Sequence, residues 1–550
     1  MALGGSALAP FRHAIFRAVW LATLVSTLGG MIQSVGAAWM MVSLGASAQM
    51  VTLVQASMAL PIVALSLVAG AIADAWDRRW LMIVAQAFML VASAILAACT
   101  WLGLITPWSL LFFTFLIGVG AALNAPAWQA AVGAMVPRQD LPSAVALNSA
   151  GFNLARSVGP AVGGLIVALA SAAAAFAINA LSYIWLIVVL ARWRPEHEPR
   201  ELPPERLGSA IVSGIRYVAM SPIISSALVR GCVAGIGASA TSALLPLVAR
   251  DLIGGGPVIY GLLLGAFGVG AVGGALWSHR LRIAYSNEWI VRCALASSAL
   301  GLGVAAISPW LVLTMVAMML AGLGWVLVVS ILNATVQMSA PRWVVARALS
   351  LYQMVTFGGL AFGAWTWGYV TEQSDLRLAL LCAAGVQVAC AVLGRWFYLV
   401  DTEEMNLDPR GFSEPDTAVP IQGRSGPVVV TIEYRIAEAD VVAFLTAMGE
   451  RRLIRRRNGA RQWTLLRDLS DAELWIERYD MPTWTEYVRH NQRFTQQDSE
   501  VGKRIRALHK GPARPVVRRL IERPTGYPRD TGSTGSRTWA ETITDQPHLP

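Results

Sequence analysis

The first 400 residues consist of long apolar runs separated by short polar segments. No charged residue occurs between Ala18 and Ala73, a stretch long enough for two membrane helices of about 20 residues each. Dividing the apolar runs at charges, turns and polar clusters gives twelve segments of comparable length. The pattern therefore predicts an all-α membrane region of twelve transmembrane helices. We number these predicted spans 1 to 12, at 18–42, 50–72, 81–102, 107–125, 144–169, 174–191, 224–248, 258–278, 289–307, 309–333, 349–370 and 377–398.

The composition changes after residue 400. Charged residues number 31 in the first 400 positions and 45 in the last 150, and soluble domains carry about 25% charged residues. The first part is therefore neither a soluble enzyme nor a nucleic-acid binder, whereas the last part is typical of a soluble domain. The sequence predicts a linker at 401–426, a folded domain at 427–523 and a disordered end at 524–550.

The predicted C-terminal domain begins with a strand, because Val428, Val430, Ile432 and Tyr434 alternate with polar residues. The segments that follow are predicted as a helix at 438–453, strands near 461–468 and 473–480, a helix from Thr483 to about 508, and a strand at 516–521. This order is that of an α+β ferredoxin-like fold.

Arginines set the predicted membrane topology. With the N-terminus inside, sixteen arginines fall in inner segments, and only Arg250 and Arg377 fall in outer loops. Because positive residues are retained on the cytoplasmic side, both termini are predicted to be cytoplasmic. The membrane part supplies 9 of the 10 net positive charges. This charge therefore reflects topology, and no nucleic-acid partner is expected.

A charged linker at 192–222 divides the spans six and six, into halves at 1–191 and 223–400. In the linker, Leu207, Ile211, Ile215 and Val218 recur at helical spacing, which predicts an interfacial helix. The halves also echo each other, since the segment from Gly70 to Arg79 is matched about 200 residues later. Two repeated six-helix halves are the plan of a transporter in which one half rocks against the other.

The junction of spans 2 and 3 reads Gly70-Ala-Ile-Ala-Asp74-Ala-Trp-Asp77-Arg78-Arg79. It resembles the loop signature of the major facilitator superfamily, and Asp77-Arg78-Arg79 is similar to the enterobactin-exporter-like, transmembrane secretion effector branch. In that family the loop holds the cytoplasmic side closed in one state, so the resemblance implies a gating role for Asp74 and Arg78. The alternative is that the two arginines serve only to fix the topology.

Span 5 contains Arg156-Ser-Val-Gly159-Pro160-Ala-Val-Gly163-Gly164, which resembles the end of the antiporter motif of export-type facilitators. Two earlier glycines of the motif are replaced by Ala146 and Ala155. The resemblance implies export, with Pro160 bending the span and the glycines packing against a neighbour. Small residues are also common where membrane helices pack, which is the alternative explanation.

Ionisable and polar residues within the spans are candidate cavity residues, because each is costly in lipid unless paired or hydrated. Arg156 lies deep in span 5, which favours a cavity or gating role. Arg230 lies nearer the inner surface, where a structural role is favoured. The uncharged candidates can either line a cavity or bond helices together; they are Gln33, Asn148, Asn153, Asn179 and Gln353.

The resemblance implies a secondary active transporter that exports small amphipathic molecules, siderophore or drug-like, across a bacterial cytoplasmic membrane. Proton-coupled relatives often carry a carboxylate in span 1 and an arginine in span 4, and neither is present here, so coupling by a proton stays open. No nucleotide-binding motif occurs, and the five cysteines lack metal-ligand spacing. We therefore expect no cofactor, no metal and no enzymatic activity. The alternatives are an uptake facilitator and a membrane-tethered sensor or enzyme.

The C-terminal domain resembles the small dimeric α/β barrels related to antibiotic-biosynthesis monooxygenases. The resemblance implies a dimerising or regulatory domain, with a small-molecule sensor and a monooxygenase as alternatives. Five arginines between Arg451 and Arg457 indicate either contact with anionic lipid or a solvated helix end. Polar candidates with no spacing that demands chemistry are Trp463, Trp484, His490, Asn491 and Arg493.

Overall fold

The computed structural model describes residues 8–75, 77–137, 140–193, 207–341, 343–400, 407, 411–511 and 514–522. The predicted disordered end at 524–550 and the first part of the predicted linker lie outside these residues. The chain forms two compact units. The membrane unit contains 1–207, 223–337 and 347–401, and the tail unit contains 208–222, 338–346 and 402–550. The linker segment 208–222 and the segment 338–346 thus belong with the tail.

Helices account for the membrane unit. In the first half they are α1 (Ala14–Ser43), α2 (Ala48–Ala75), α3 (Arg78–Trp101), α4 (Pro107–Met135), α5 (Leu141–Leu169) and α6 (Ala172–Arg192). After the linker helix α7 (Leu207–Ala219), the second half contains α8 (Pro222–Ala243), the short α9 (Leu245–Leu247), α10 (Pro257–Ala284), α11 (Asn287–Ile307), α12 (Leu311–Ser339), α13 (Val345–Gln373) and α14 (Leu376–Leu393).

Eleven helices among the described residues are long and apolar enough to cross a membrane. The remaining predicted span, span 11, is α13, a helix of 29 residues that contains more polar residues and glycines. It packs tightly within the bundle, because a methyl group on its Gly359 would collide with the backbone of Cys232 in α8. The predicted all-α membrane bundle is therefore confirmed, with eleven of its twelve predicted spans long and apolar enough to cross a membrane.

The halves share a core at one end of the bundle. We call this the distal end, where α1 finishes at Ser43 and α2 begins at Ala48. A single apolar cluster there includes Val35 and Leu96 of the first half with Leu244 and Tyr260 of the second. At the opposite, proximal end, one cluster of described residues comes from the first half alone and includes Phe16, Leu81, Ala131 and Leu190. The distal ends are therefore packed together.

The tail is a four-stranded antiparallel sheet with helices on one face. Its elements are β1 (Val428–Arg435), α15 (Val441–Arg457), β2 (Arg461–Arg467), β3 (Leu474–Met481), α16 (Trp484–Gln492), α17 (Gln496–Leu508) and β4 (Val516–Ile521). The strand order is β2-β3-β1-β4, with Val430 opposite Tyr479 and Arg519. The inward residues of β1 are buried and alternate with half-buried ones, as the sequence pattern predicts. The ferredoxin-like fold is confirmed.

Two details of the tail differ from the sequence prediction. The single helix predicted after Thr483 is two helices, because Thr495 and Asp498 form a capping box that starts α17. Part of the predicted linker also packs onto the domain, since Phe412 contacts Tyr487 edge to face. The Trp484 indole donates to Glu414 over 2.6 Å, so the packed tail begins before residue 427.

Candidate translocation site

The span 5 motif lies where α5 packs against both halves. A methyl group on Gly159 would lie 2.6 Å from Cβ of Met31, and one on Gly163 would lie 3.0 Å from Cα of Ile32, so both glycines allow α1 to approach. Gly164 faces the other way. A methyl group there would lie 2.5 Å from the carbonyl oxygen of Pro257 in α10.

The contact between α5 and α10 is made of backbone. A methyl group on Gly261 would lie 2.7 Å from the carbonyl oxygen of Pro160 and 2.9 Å from Cα of Gly164. Backbone atoms cannot rotate away as a flexible side chain can, so glycine at both positions permits this approach. The first and second halves therefore meet through Gly164 and Gly261 in the distal part of the bundle.

A second contact between the halves joins α2 and α13. A methyl group on Gly368 would lie 2.9 Å from Cα of Gln49 and would collide with the side chain of Thr52. Thr52 is fully buried. Both Gln49 and Thr52 belong to the first turns of α2, so this contact also lies at the distal end. The two contacts together close that end of the bundle.

Arg156 is half-buried in α5, and its guanidinium carbon lies 5.3 Å from the ring centre of Phe267 in α10. This distance allows a cation–π interaction, which a low-dielectric environment strengthens. The side chain thus lies at the junction of the two halves. Its predicted role in a cavity or in gating stays a prediction.

The signature between α2 and α3 is described in part. Gly70 and Asp74 belong to α2, but their side-chain surroundings lie outside the described residues. Asp77 caps α3, accepting a hydrogen bond of 2.8 Å from the backbone N–H of Arg79. Arg78 is half-buried. The gating role of this loop stays a prediction.

Arg79 connects α3 to the end of α6. Its guanidinium donates to the carbonyl oxygens of Leu190, over 2.9 Å, and Ala191, over 2.6 Å. These carbonyls lie in the last turn of α6, which lacks helical partners and carries partial negative charge. Arg79 therefore has a structural contact in addition to any topological role.

Two predicted polar residues, Gln33 and Asn179, meet in a buried cluster. The Gln33 side-chain oxygen accepts hydrogen bonds from Ser93 over 2.9 Å and from the Asn179 amide over 2.5 Å. The Asn179 amide also donates to the Tyr183 hydroxyl over 3.0 Å. The cluster joins α1, α3 and α6 within the first half. In the described state, Gln33 and Asn179 therefore bond helices together, which is one of the two roles that the sequence allowed.

The remaining polar candidates are separate from this cluster. Asn148 in α5 and Gln353 in α13 are half-buried. The side chain of Asn153 lies outside the described residues. A cavity-lining role for these three residues stays a prediction.

One buried charge cluster was not predicted from the sequence. Arg230 in α8 is fully buried and forms an ion pair with Glu288, the first-turn acid of α11. Glu288 also accepts hydrogen bonds from Arg292, over 2.6 Å, and from the backbone N–H of Leu399, over 3.2 Å. Such a pair is tolerated in lipid because the two charges compensate each other. The Nε and Nη2 atoms of Arg230 are buried without a hydrogen-bond partner among the described residues. The available signal was that Glu288 is one of only four acids between residues 223 and 400.

The tail contains a second buried network, centred on Glu477. This carboxylate accepts hydrogen bonds from Arg455 over 3.0 Å, Tyr434 over 2.9 Å and Trp463 over 3.1 Å. Burial alone would raise the pKa of Glu477, but Arg455 and Arg451 lower it to about 2. Glu477 is thus ionised in the folded tail.

Next to this network, His490 is fully buried, with Nδ1 3.1 Å from the carbonyl oxygen of Asn458 and Nε2 3.1 Å from Nη1 of Arg455. Burial and the charge of Arg455 lower the pKa of His490 well below 6.5. The neutral ring therefore donates from Nδ1 and accepts at Nε2. Of the other predicted polar residues of the tail, Trp463 belongs to the Glu477 network, Trp484 donates to Glu414, and Asn491 donates to the backbone carbonyl of Tyr487. Arg493 is buried, and its guanidinium carbon lies 4.3 Å from the ring centre of Trp343.

A bundle of twelve helices in two halves, in contact through backbone at one end, defines the class of protein: a membrane transporter of the major facilitator fold. Solved structures agree with this fold. The nucleoside transporter NupG superposes with a TM-score of 0.54 at 15% identity, over 70% of this chain and 100% of NupG. A bacterial homologue of the human lysosomal transporter Spinster, in an inward-facing and occupied conformation, gives 0.57 at 12% identity, over 72% and 97%. At these identities the likeness concerns the fold alone.

Within this class, the chain belongs to the transmembrane secretion effector family, whose sequence profile matches residues 5–525. The match includes the tail. Named relatives include the enterobactin exporter EntS of Shigella flexneri, 27% identical over 364 residues, which cover 64% of this chain and 84% of the relative. EntS of Escherichia coli O157:H7 is 27% identical over 366 residues, with the same coverage. The resemblance derived from the loop signature is therefore confirmed at the level of the family.

Proposed function

We propose that this protein is a secondary active transporter that exports small amphipathic molecules, siderophore or drug-like, by alternating access. The observation that carries the proposal is the paired contact of Gly164 with Gly261 and of Gly368 with α2, which closes the distal end. A transporter of this plan opens its ends in turn by rocking one half against the other. The described conformation corresponds to the state in which the distal end is shut.

The export direction rests on two supports. The relatives in Shigella flexneri and Escherichia coli carry the name of exporters of enterobactin, a siderophore. In addition, the antiporter-like residues Gly159, Pro160, Gly163 and Gly164 occupy the surface where α5 meets α1 and α10. Uptake through the same fold is the competing direction.

The membrane orientation follows from the arginine distribution. We place the proximal end, both termini, α7 and the tail in the cytoplasm of a bacterial cell, since sixteen inner arginines oppose two outer ones. The distal end then faces the exterior, and in the described state this exterior end is shut. The loop residues Asp74 and Arg78 would act at the cytoplasmic end, closing it when the distal end opens.

The energy source is an ion gradient, since no nucleotide-binding motif occurs in the sequence. A proton is one candidate for the coupling ion, and an ion other than the proton is the alternative, because the span 1 carboxylate and the span 4 arginine of many proton-coupled relatives are not present. Among the described residues of the spans ionisable groups are few, and Arg156, next to Phe267 at the junction of the halves, is placed to respond to both halves.

The function is tested by export from cells. A panel of dyes, antibiotics and siderophores is loaded into cells with and without the gene, and retained compound is measured. We expect at least one amphipathic compound to be retained less in the expressing cells, and dissipation of the proton gradient to abolish this difference. Equal retention of every compound would contradict export, and greater retention in the expressing cells would indicate uptake.

A further inference from the structure

The tail contains a half-open cavity of about 370 Å³ between β1, α15, α17 and the segment around Phe412. This volume lies within the range of about 300–1,000 Å³ that is typical of small-molecule sites. The cavity lies entirely within the tail unit. It is separate from the membrane helices that carry the proposed translocation site.

The lining of the cavity is cationic. It contains five arginines, and none of the described residues that line it is acidic; the arginines are Arg451, Arg455, Arg506, Arg514 and Arg519. Glu477 lies behind Arg455 and compensates one positive charge. The remaining excess of positive charge favours an anion, and arginine presents several donors in a plane that matches a carboxylate.

Arg451 is a largely buried arginine of the lining that has a donor without a partner. Its side chain is 14% exposed, and Nε lies 3.7 Å from Glu477 Oε1, too far for a hydrogen bond. The same Nε is buried without a hydrogen-bond partner. A buried donor without a partner is unfavourable, and an anion in the cavity would supply one. By contrast, Arg455 already donates to Glu477 and His490.

Aromatic rings form much of the remaining wall. Tyr434, Tyr479, Tyr487 and Phe494 line the cavity, and Phe412 covers one side of it. The guanidinium carbon of Arg455 lies 4.2 Å from the ring centre of Tyr479 and 5.1 Å from that of Phe494. Flat apolar walls next to fixed cations select a ligand that has both a flat ring system and a negative charge.

Two structural elements connect the cavity to the linker helix. Helix α15 carries Arg451 and Arg455 in the cavity and, further on, Arg457, whose guanidinium carbon lies 4.9 Å from the ring centre of Tyr217 in α7. Arg493 is next to the cavity residue Phe494, and its guanidinium carbon lies 4.3 Å from the ring centre of Trp343. The rings of Tyr217 and Trp343 are 5.5 Å apart, edge to face. In the chain, Tyr217 precedes α8 and Trp343 precedes α13. A shift of α15 would therefore displace the segments that lead into these two helices.

We propose that the tail cavity is a regulatory site for a small aromatic carboxylate, and that its occupation is transmitted through Arg457 and Arg493 to α7 and Trp343. The carboxylate binds Arg451 and the arginines at the rim, and the ring lies among the tyrosines and Phe494. This site is independent of the direction of transport and of the transported compound.

Binding is tested on the full chain in phosphatidylcholine nanodiscs, with radiolabelled 1-naphthoate as the probe and empty nanodiscs as the blank. We expect saturable binding, with affinity at least about tenfold weaker for the neutral 1-naphthalenemethanol and in Arg451→Gln, because a charge-assisted contact is lost. Arg452→Gln is the matched control. Its guanidinium carbon lies 5.9 Å from the ring of Trp463, and it does not line the cavity.

Because Arg451→Gln could disturb the Glu477 network, the exposed rim residue Arg514 provides a second variant. We expect Arg514→Gln to fold normally and to weaken 1-naphthoate binding. The proposed carboxylate site would be overturned by any of three results. These are absence of saturable binding, equal binding of the alcohol, and full affinity in both Arg451→Gln and Arg514→Gln.

Transmission is tested by hydrogen exchange of residues 208–222 with and without 1-naphthoate. We expect the probe to change the exchange of this segment in the natural chain and in Arg452→Gln but not in Arg451→Gln. Saturable binding with unchanged exchange would overturn the transmission. None of these measurements involves transport, so their outcome is independent of the export assay.

Discussion

The guanidinium of Arg79 donates to the carbonyl oxygen of Leu190, and this bond fastens the first turn of α3 to the last turn of α6. A cation at a helix C-terminus contributes about 0.3–2 kcal/mol. We therefore expect Arg79→Ala to lower the stability of the detergent-solubilised protein by about 1–2 kcal/mol, measured as a lower midpoint of thermal unfolding.

Arg377→Ala is the control for this loss of charge, because Arg377 is exposed in the first turn of α14. It should leave the midpoint within experimental error. If both variants unfold at the same temperature as the natural chain, the contact between Arg79 and α6 contributes nothing to stability.

We predict that the distal closure depends on a glycine in α10. We expect Gly261→Ala to destabilise the closed distal end and to slow transport, because the added methyl group meets the backbone of Pro160 and Gly164. Gly273→Ala in the same helix is the matched control, since no atom of another segment lies within 4 Å of its methyl position.

The effect of Gly261→Ala is measured by labelling Thr52→Cys with an impermeant maleimide, in a background that lacks the five native cysteines. Thr52 is fully buried in the closed end, so labelling should be slow in the parent and in Gly273→Ala and faster in Gly261→Ala. Equal labelling rates in all three would contradict a closure that rests on this glycine.

The predicted topology is tested by two exposed positions. Leu469, between β2 and β3, is fully exposed, and Leu104, between α3 and α4, is 66% exposed. In intact cells an impermeant maleimide should label Leu104→Cys but not Leu469→Cys. After lysis the maleimide should also label Leu469→Cys. Labelling of Leu469→Cys in intact cells would place the tail outside.

The stability of the tail should decrease in two stages as the pH falls. The pKa of His490 is lowered in the folded state, so below pH 6.5 the unfolded chain binds a proton that the folded chain does not, and stability decreases. The pKa of Glu477 is lowered from 4.5 to about 2, so its contribution is present above pH 4.5 and is lost as the pH falls toward 2.

Hydrogen exchange of β3 in the full chain, corrected for the intrinsic rate at each pH, measures both stages. His490→Gln should remove the decrease between pH 7 and 5 and leave the one below pH 4.5. An unchanged profile in this variant would show that another group titrates in the upper range.

The tail should fold alone and form a dimer. Its helices cover one face of the sheet, and exposed apolar residues remain on β4, namely Val516 and Leu520. In the small dimeric barrels that the tail sequence resembles, a second copy covers such a face. We expect residues 411–523 to be soluble and dimeric by light scattering, and Leu520→Lys to weaken the dimer. A fragment starting at 427 should be less stable because it lacks the contacts of Phe412 and Glu414. A stable monomer of 411–523 would contradict the dimer.

Hydrophobic pattern was sufficient to predict the helices of the bundle and the strands of the tail. β4 begins and ends where the pattern places it, at Val516 and Ile521. The split between α16 and α17 was missed because the capping box at Thr495 lies within a mostly polar stretch, 489–500, that a helix would also tolerate. Local patterns thus locate elements better than the breaks between them.

The sequence identified candidate residues by their type and position in a span, but it did not identify their partners. Gln33 and Asn179 were identified as polar and intramembrane, but their 146-residue separation gives no indication that they bond to each other. The pairing of Arg230 with Glu288 was missed for the same reason. In the tail, Arg451 and Arg455 lie one helical turn apart, on the stripe that begins at Phe444 and Met448. That spacing was a usable signal that these arginines point inward.

The hydrogen bond from the backbone of Leu399 to Glu288 sets where this chain can be cut or joined. Helix α14 ends at Leu393, yet a gene truncated there would leave the buried Glu288 without one of its donors. A chimaera that exchanges tails between family members should therefore retain the recipient's residues through Leu399. The boundary between the interchangeable parts lies six residues beyond the last helix, and gene fusions that respect it should insert normally.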